Sequence, residues 1–279
     1  MERCEDALTA WVRYQHAAGL SERTITSRVA TLRILARAVD PLTASSDDIT
    51  DWLATLTTGR TGEPVLIGTR ATYRRQLGAF YGWLSDMGHR RDNPMAHVPK
   101  VRTSLGLPRP WSPEQARSIL DACLDPRAVQ TRAYVILAAF AGLRVHEIAK
   151  VRGEDVRGDE LAVAGKGGSD STIPMHPMVQ ALARTMPQSG WWFPSDSATG
   201  HVHRCSVSSA IKRAMTRAGV PGTPHAARHH YGTQVLRASG GDLRTAQRAL
   251  RHKSVQTTAI YTQVPDDALR RAIVGIPAA

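Results

Sequence analysis

Four prolines fall between Asp92 and Pro110, and this segment constrains the fold of the chain more than any other feature. Proline removes a backbone donor and clashes with the preceding helical turn, so a stretch this rich in proline does not continue a helix. We therefore predict a linker over residues 92–110. It divides the 279-residue chain into a first domain of residues 1–91 and a second domain of residues 111–279.

Hydrophobic residues at helical spacing predict four helices in the first domain. They run from about Glu5 to Ala18, from just after the candidate N-cap Ser21, from near Ser46, and from about Thr69 to Met87. The predicted apolar stripes of the last three helices are Ile25, Val29, Leu32, Leu35 and Val39, then Ile49, Trp52, Leu53 and Leu56, then Leu77, Phe80, Leu84 and Met87.

The second domain opens with a strong helix signal. Ser112 is the candidate N-cap, Pro113 stands at the first helical position, and Gln115 completes a capping box. An apolar helix follows over Tyr134–Ala141. Strand-like residues then lie on both sides of a predicted turn, with Leu161 and Val163 before Gly165–Ser169, and Ile173 and Pro174 after it. The rest of the sequence is mostly helical in pattern. The predicted fold class is mainly α with a small antiparallel β-sheet.

The net charge of +12 predicts a polyanionic partner. Residues 1–100 carry +2 of this charge and residues 101–279 carry +10, so the partner is expected mainly on the second domain. Basic side chains also line the fourth helix and the linker. They suit either a solvated surface or contacts with phosphate groups, and the candidates are Arg70, Arg74, Arg75, Lys100 and Arg102.

The three cysteines, Cys4, Cys123 and Cys205, are odd in number and widely spaced, so they predict no disulfide framework. His201 and His203 near Cys205 lack a C-x-x-C or H-E-x-x-H pattern, so we expect no metal site. With no signal peptide and no run of about 18 apolar residues, we expect a cytoplasmic protein of a bacterial host, in the cytoplasm or nucleoid.

Four short segments carry the reactive side chains. Taken singly, each segment fits an ordinary structural role, because an isolated Arg, His or Tyr is usually packed or solvated. Their order and spacing matter more than any one of them. The segments are Gly142-Leu143-Arg144-Val145-His146-Glu147, Gly165-Lys166-Gly167, His225-Ala226-Ala227-Arg228, and Arg251-His252 followed nine residues after the histidine by Tyr261.

This ordered set resembles the tyrosine recombinase family, which includes phage integrases and Xer-type recombinases. The shared motifs are G-L-R-x-x-E, a lysine in a β-hairpin, H-x-x-R, and a histidine nine residues before a tyrosine. The resemblance covers the whole chain. It implies a helical core-binding domain over residues 1–91 and a catalytic domain over residues 111–279, with double-stranded DNA as the partner.

The resemblance implies that Tyr261 attacks phosphorus and forms a 3′-phosphotyrosine bond. A phosphodiester is anionic and repels nucleophiles, so catalysis must neutralise its non-bridging oxygens. Two planar guanidinium groups suit that task, and the motifs assign it to Arg144 and Arg228.

The remaining roles follow from the protons that move. The phenol of tyrosine has a pKa near 10, so it needs a base, and His225 is the candidate. Lys166 would protonate the leaving 5′-oxygen, and His252 would donate a hydrogen bond to the phosphate. The covalent bond conserves the energy of the phosphodiester, so we expect no cofactor, ATP or metal ion.

The chain departs from the family pattern at three places. The hairpin turn after Lys166 lacks the further basic residues that relatives often carry, and Ala226-Ala227 replaces a bulkier residue. Arg251 stands where relatives usually have glycine. If the position requires a positive φ, arginine costs about 1 kcal/mol there, and otherwise Arg251 adds a phosphate contact.

Helix one begins almost at Met1, so we expect no arm-type DNA-binding domain and recognition of short, core-type inverted-repeat sites only. Residues 264–279 would either pack on their own domain or dock onto a neighbouring protomer in a tetramer on DNA. The expected function is site-specific recombination, most readily phage or mobile-element integration. The alternatives are Xer-like chromosome-dimer resolution, a type IB topoisomerase-like or telomere-resolving enzyme, a non-catalytic DNA-binding protein on the same fold, and a metal-dependent nuclease.

Overall fold

The computed structural model describes residues 2–59, 61–103, 109–164 and 171–251. It divides into two compact units, Met1–Leu105 and Gly106–Ala279, and each has its own hydrophobic core. Helices predominate, with one small antiparallel sheet, which confirms the predicted fold class. Within the described ranges, no helix has the length and apolar character needed to cross a membrane.

The first unit contains the four predicted helices. Their bounds are α1 Glu2–Ala17, α2 Glu22–Leu35, α3 Ser46–Thr55 and α4 Ile67–Asp86. Ser21 caps α2 by accepting a hydrogen bond from the amide of Thr24, as predicted. Helix α3 begins at Ser46, as predicted, and a capping box between Ser45 and Asp48 stabilises its start.

Three residues of the predicted apolar stripes lie outside the helices, and one of them is Leu56, the C-cap of α3. Helix α2 ends at Leu35, so Val39 packs from the following turn and not from the helix. Met87 is the C-cap of α4 and is 54% exposed, because the helix ends before this position can return to the core. The core itself is built on large aromatic residues, with Trp11 edge-on to Phe80 at a centroid distance of 5.1 Å.

The first unit also takes up the beginning of the Pro-rich segment. A 3-10 turn spans Pro94–Ala96, and both Met95 and Val98 are buried in the first core. The guanidinium group of Arg74 on α4 donates hydrogen bonds to the carbonyls of Val98 (2.7 Å) and Pro99 (2.6 Å). The first compact unit therefore extends past residue 91, where we predicted the first domain to end.

The second unit is built around α6. Its elements are α5 Pro113–Asp121, α6 Val129–Phe140, α7 Val145–Ile148, β1 Val156–Arg157, β2 Glu160–Val163, β3 Ser171–Pro174, α8 Pro177–Ala183, α9 Arg204–Arg217, α10 His225–Ala238 and α11 Leu243–Leu250. Every residue of α6 from Ala133 to Ala139 is buried, and the helix packs against α5, α7, α8, α9 and α10. This buried helix ends at Phe140, and the short loop that leads to Arg144 therefore starts from a rigid support.

The predicted strand segment forms a three-stranded antiparallel sheet in the order β1-β2-β3. In the β2–β3 pair, Leu161 lies opposite Ile173 and Val163 opposite Ser171. Leu161 and Ile173 are buried against the second core, which fixes the register because a slip of one residue would expose them. The predicted turn over 165–169 lies outside the described residues.

The capping box at Ser112 generates a stability prediction. Its hydroxyl accepts from the amide of Gln115 (3.1 Å), and the Gln115 side chain accepts from the amide of Ser112 (3.0 Å). Ser112→Ala should lower the free energy of unfolding by about 1 kcal/mol, as measured by urea denaturation. Ser118→Ala is the matched control on the exposed face of the same helix, and it should change stability by less than about 0.5 kcal/mol. Equal losses in the two variants would contradict the role of the cap.

Candidate active site

The loop after α6 places Arg144 through an unusually close backbone approach. Gly142 has φ +62, and a Cβ added there would lie 2.3 Å from Cδ1 of Tyr231. Only glycine fits this position, because any side chain would meet the ring and strain the backbone. Leu143 is buried beside the glycine, and Arg144 then becomes the N-cap of the short helix α7.

Glu147, one turn into α7, is the residue around which the site assembles. Its Oε2 accepts a hydrogen bond from the amide of Arg144 (2.8 Å), and its Oε1 accepts one from Nη1 of the same residue (2.9 Å). Nη2 of Arg251 donates to Oε2 at 2.8 Å, and Nη1 of Arg228 lies 4.0 Å from that oxygen. We call Arg144, Arg228 and Arg251 the arginine cluster. Three positive charges therefore surround one carboxylate, which leaves two in excess.

The ionised form of Glu147 is stabilised by this surrounding charge. Burial acts to raise the pKa of Glu147, since its side chain is only 7% exposed. The charges of Arg251, Arg228 and Arg144 and the hydrogen bond from the Arg144 amide outweigh burial, and the pKa falls below its ordinary value. The carboxylate is thus held ionised among the three cations.

Arg228 is the most deeply buried member of the arginine cluster, with 2% exposure. It lies in the first turns of α10, and its guanidinium group donates hydrogen bonds to the carbonyls of Gly142 and Leu250. Gly142 precedes Arg144, and Leu250 is the last residue of α11. Arg228 therefore ties the start of the Arg144 loop to the end of α11.

His225 begins α10 beside these cations. Shielding of the ring by surrounding atoms, followed by the charges of Arg228 and Arg144, lowers the pKa of His225. Its ring contacts that of His229 edge-on at a centroid distance of 4.5 Å. Burial, with His225 and Arg228, lowers the pKa of His229 to about 4. Both imidazoles are therefore neutral near pH 7, the state in which His225 can accept a proton.

Arg251 adopts the positive φ that we considered for this position. With φ 52 and ψ 43 it is left-handed, and no other non-glycine residue of the described ranges has a positive φ. This conformation costs about 1 kcal/mol for a residue with a Cβ. The structure also shows where the side chain of Arg251 lies, while the alternative expectation of a phosphate contact stays a prediction. Its side chain is 10% exposed and pairs with Glu147, so its charge is directed into the protein.

The structure brings together three of the six predicted catalytic residues, Arg144, His225 and Arg228. The other three, Lys166, His252 and Tyr261, lie outside the described residues, and their roles stay predictions.

The predicted DNA-binding residues of the first unit differ in how their side chains are used. Arg74 is committed to the two carbonyls of the Pro-rich segment, and Arg70 donates to the carbonyl of Ala54 at 3.3 Å. Arg75, Lys100 and Arg102 are exposed. The internal contacts of Arg74 hold backbone in place, so this residue does not present a free head group to a partner.

The histidines for which we expected no metal-binding role make local structural contacts. His203 caps α9 by accepting from the amide of Cys205, and the ring of His201 lies beside the carbonyl of Val202. The buried His230 bonds the carbonyl of Trp111 at 2.7 Å. In the part of the chain that the structure describes, no three His, Cys, Asp or Glu side chains are grouped to hold a metal ion.

Glu147 is the important residue to which sequence analysis assigned no role. It was visible in the G-L-R-x-x-E motif, at the third helical position where an acidic side chain completes a capping box. Tyr231 was also missed, because only the folded chain shows its ring against Gly142.

Replacement of Glu147 should reveal its charge through the pH dependence of stability. Glu147→Gln leaves buried guanidinium groups without a counter-charge and should lower the free energy of unfolding by about 3 kcal/mol at pH 7. Because the folded pKa is lowered, the carboxylate contributes fully above its unfolded pKa of about 4.3 and loses that contribution as pH falls through the folded value. The difference in free energy of unfolding between wild type and variant, measured by urea denaturation at several pH values, should therefore become smaller below about pH 4.3. A gap that stays constant down to pH 3 would contradict the assignment.

Comparison with known proteins supports the arrangement. The phage integrase family matches residues 111–267. Tyrosine recombinase XerD of Rhizobium meliloti (strain 1021) is 28% identical over 248 residues, which cover 81% of this chain and 78% of the relative.

Two solved structures are also similar. The integrase from mycobacterium phage Brujita is 40% identical and has a TM-score of 0.50, with 95% of this chain and 90% of that chain covered. A lambda integrase (75-356) dimer bound to a COC' core site is 18% identical, with a TM-score of 0.76 and coverage of 92% and 94%, and it shows likeness of fold. The family match, which spans more than half of the chain, and the 40% identity lead to one conclusion: the chain belongs to the phage integrase family and is a tyrosine site-specific recombinase.

Proposed function

We propose that this recombinase cleaves and rejoins double-stranded DNA through a covalent 3′-phosphotyrosine bond to Tyr261, and that it serves the integration of a phage or mobile element. The observation that carries the proposal is the meeting of Arg144 and Arg228 around Glu147, with the neutral imidazole of His225 beside them. The excess positive charge of the arginine cluster suits an anionic phosphate.

In the proposed reaction, the phenolic oxygen of Tyr261 gives its proton to His225 and attacks phosphorus. The new oxygen–phosphorus bond forms as the bond to the 5′-oxygen breaks, and Lys166 gives that oxygen a proton. Arg144 and Arg228, with His252, bind the non-bridging oxygens as negative charge develops on them. A 5′-hydroxyl of another strand then reverses the step and restores the phosphodiester. One bond is exchanged for another at each stage, so no nucleotide hydrolysis is required.

Arg144 is suited to the phosphate because its guanidinium group is only partly used by the protein. Its Nη1 pairs with Glu147, while 37% of the side chain stays exposed. Its backbone is fixed as the N-cap of α7, where its amide donates to Glu147, so the group is oriented before any substrate binds. A preoriented donor loses little freedom on binding and can stabilise charge that develops during the reaction.

The choice of integration rests on similarity. The Brujita phage integrase is more alike in sequence, at 40% identity over 95% of this chain, than XerD, at 28% over 81%. Xer-like chromosome-dimer resolution remains the second candidate because XerD proteins are among the relatives.

We also propose that the protein acts at core-type inverted-repeat sites in the bacterial cytoplasm or nucleoid and assembles as a tetramer on DNA. Lambda integrase, similar in fold, has been solved as a tetramer bound to a Holliday junction. Residues 1–91 would then be a core-binding domain, with Arg75 as an exposed candidate for a phosphate contact, and Lys100 and Arg102 of the following linker would be two more. Residues 111–279 would form the catalytic domain, whose last residues, 264–279, dock onto a neighbouring protomer.

Covalent capture tests the nucleophile. Wild type, Tyr261→Phe and the control Tyr14→Phe, which removes a hydroxyl from a half-exposed tyrosine of α1, are incubated with randomised nicked duplexes and denatured in SDS. Nicks let the short cleaved fragment diffuse away and so retain the intermediate. Wild type and control should retain an enriched inverted repeat, and Tyr261→Phe should retain no DNA although its DNA affinity changes only a few-fold.

Other outcomes distinguish the remaining functions. DNA binding without covalent capture by the wild type would favour a non-catalytic DNA-binding protein. Relaxation of supercoiled DNA without paired sites would favour a topoisomerase-like enzyme, and EDTA-sensitive cleavage with protein-free ends would favour a nuclease.

Arg144→Lys tests the phosphate clamp. An ammonium group keeps the charge but cannot reproduce the planar fork of donors, so single-turnover cleavage should slow by about 100-fold or more. Arg184→Lys, on the exposed end of α8, is the matched control and should change the rate less than about twofold. Cleavage by Arg144→Lys near the wild-type rate would remove Arg144 from the proposed mechanism.

A further inference from the structure

Arg251 combines three features that an incidental surface arginine lacks. It ends α11 in the left-handed conformation, a position that glycine takes without steric cost. Its side chain is nine-tenths buried, and its Nη2 meets Oε2 of Glu147 at 2.8 Å. Burying a cation is unfavourable unless a partner compensates it, and Glu147 is the carboxylate that pairs with this one.

The two oxygens of Glu147 are divided between its partners. Oε1 accepts from Nη1 of Arg144, and Oε2 accepts from the Arg144 amide and from Nη2 of Arg251. Arg251 thus pairs with Oε2, whereas the side chain of Arg144 pairs with Oε1. Together these hydrogen bonds fix the rotation of the carboxylate and, with it, the direction of the Arg144 guanidinium group.

Arg228 is the group that would respond if Arg251 were removed. Its Nη1 lies 4.0 Å from Oε2 of Glu147, a short movement away from a direct hydrogen bond. At present its guanidinium group is engaged by the carbonyls of Gly142 and Leu250. Without Arg251, Oε2 would attract Arg228, because its closest cationic partner on that side would be gone.

We propose that Arg251 is a positioning residue for the strand-cleavage reaction: by occupying Oε2 of Glu147 it fixes the carboxylate that orients Arg144 and keeps Arg228 at its carbonyl contacts. The inference rests on the proposed function. It assigns to Arg251 an effect on the rate of cleavage that is transmitted through Glu147 and not through direct contact with DNA.

Three substitutions separate positioning from stability. Arg251→Met keeps a long side chain and the backbone strain but removes the charge. Arg251→Gly removes both the charge and the strain, and Arg251→Lys keeps a positive charge in a different shape. Arg248→Met, on the exposed face of the same helix, is the matched control.

The experiment measures single-turnover covalent capture at saturating concentration of the nicked duplex recovered above, together with the midpoint of thermal unfolding. Arg251→Met and Arg251→Gly should both slow capture by about 10- to 100-fold, as expected for a misplaced catalytic group. Arg251→Gly should unfold at the higher temperature of the two yet react as slowly. Arg251→Lys should recover part of the rate, and Arg248→Met should stay within about twofold of wild type.

A double variant tests whether the effect passes through Glu147. If it does, Glu147→Gln with Arg251→Met should be no slower than Glu147→Gln alone. Multiplying losses would show direct action of Arg251 on DNA and overturn the inference. Capture by Arg251→Gly at the wild-type rate, or rates that simply follow stability, would overturn it as well and leave the proposed function standing. Absence of capture by the wild type would overturn the proposed function and this inference together.

Discussion

The carboxylate of Glu147 is the interaction on which the site depends. It receives the amide and side chain of Arg144, the side chain of Arg251 and the charge of Arg228, which belong to three separate parts of the second unit. Without a shared anion these cations would repel one another at close range. With it, an excess of positive charge is held in one place by groups whose directions are already set. Electrostatic stabilisation of an anionic substrate requires that kind of preorganisation, because no reorientation is then needed during the reaction.

The surrounding fold serves this arrangement through buried helices. Helix α6 is apolar along most of its length and delivers the Arg144 loop from the middle of the core. Helix α10 presents His225 near the surface and Arg228 in the interior one turn later. Burial lowers the pKa of His225 and His229, and the charge of Arg228 lowers both further, so the two imidazoles are neutral near pH 7. The proton-accepting state of the imidazoles therefore depends on burial as well as on the arginine cluster.

Much of this was predictable from the sequence because it depends on local rules. The caps at Ser21 and Ser112, the buried helix α6 and the hairpin of β2 and β3 follow from short-range patterns. The order of the motifs along the chain also predicted that Arg144, His225 and Arg228 act together. The directions of long side chains were not predictable in this way. From the sequence, Arg74 and Arg251 could both be surface cations. Only the tertiary structure shows that Arg74 binds two carbonyls and that Arg251 binds a buried carboxylate.

The close approach of Gly142 to Tyr231 has a consequence for how this chain can vary. The two positions are far apart in sequence but share one small volume, with the ring occupying the space that a Cβ would need. A substitution at Gly142 is therefore compatible with the fold only when position 231 becomes smaller at the same time and the backbone of the loop relaxes. Positions 142 and 231 can therefore change only together. Mutational scans that vary one site at a time will underestimate the number of sequences that this loop can accept.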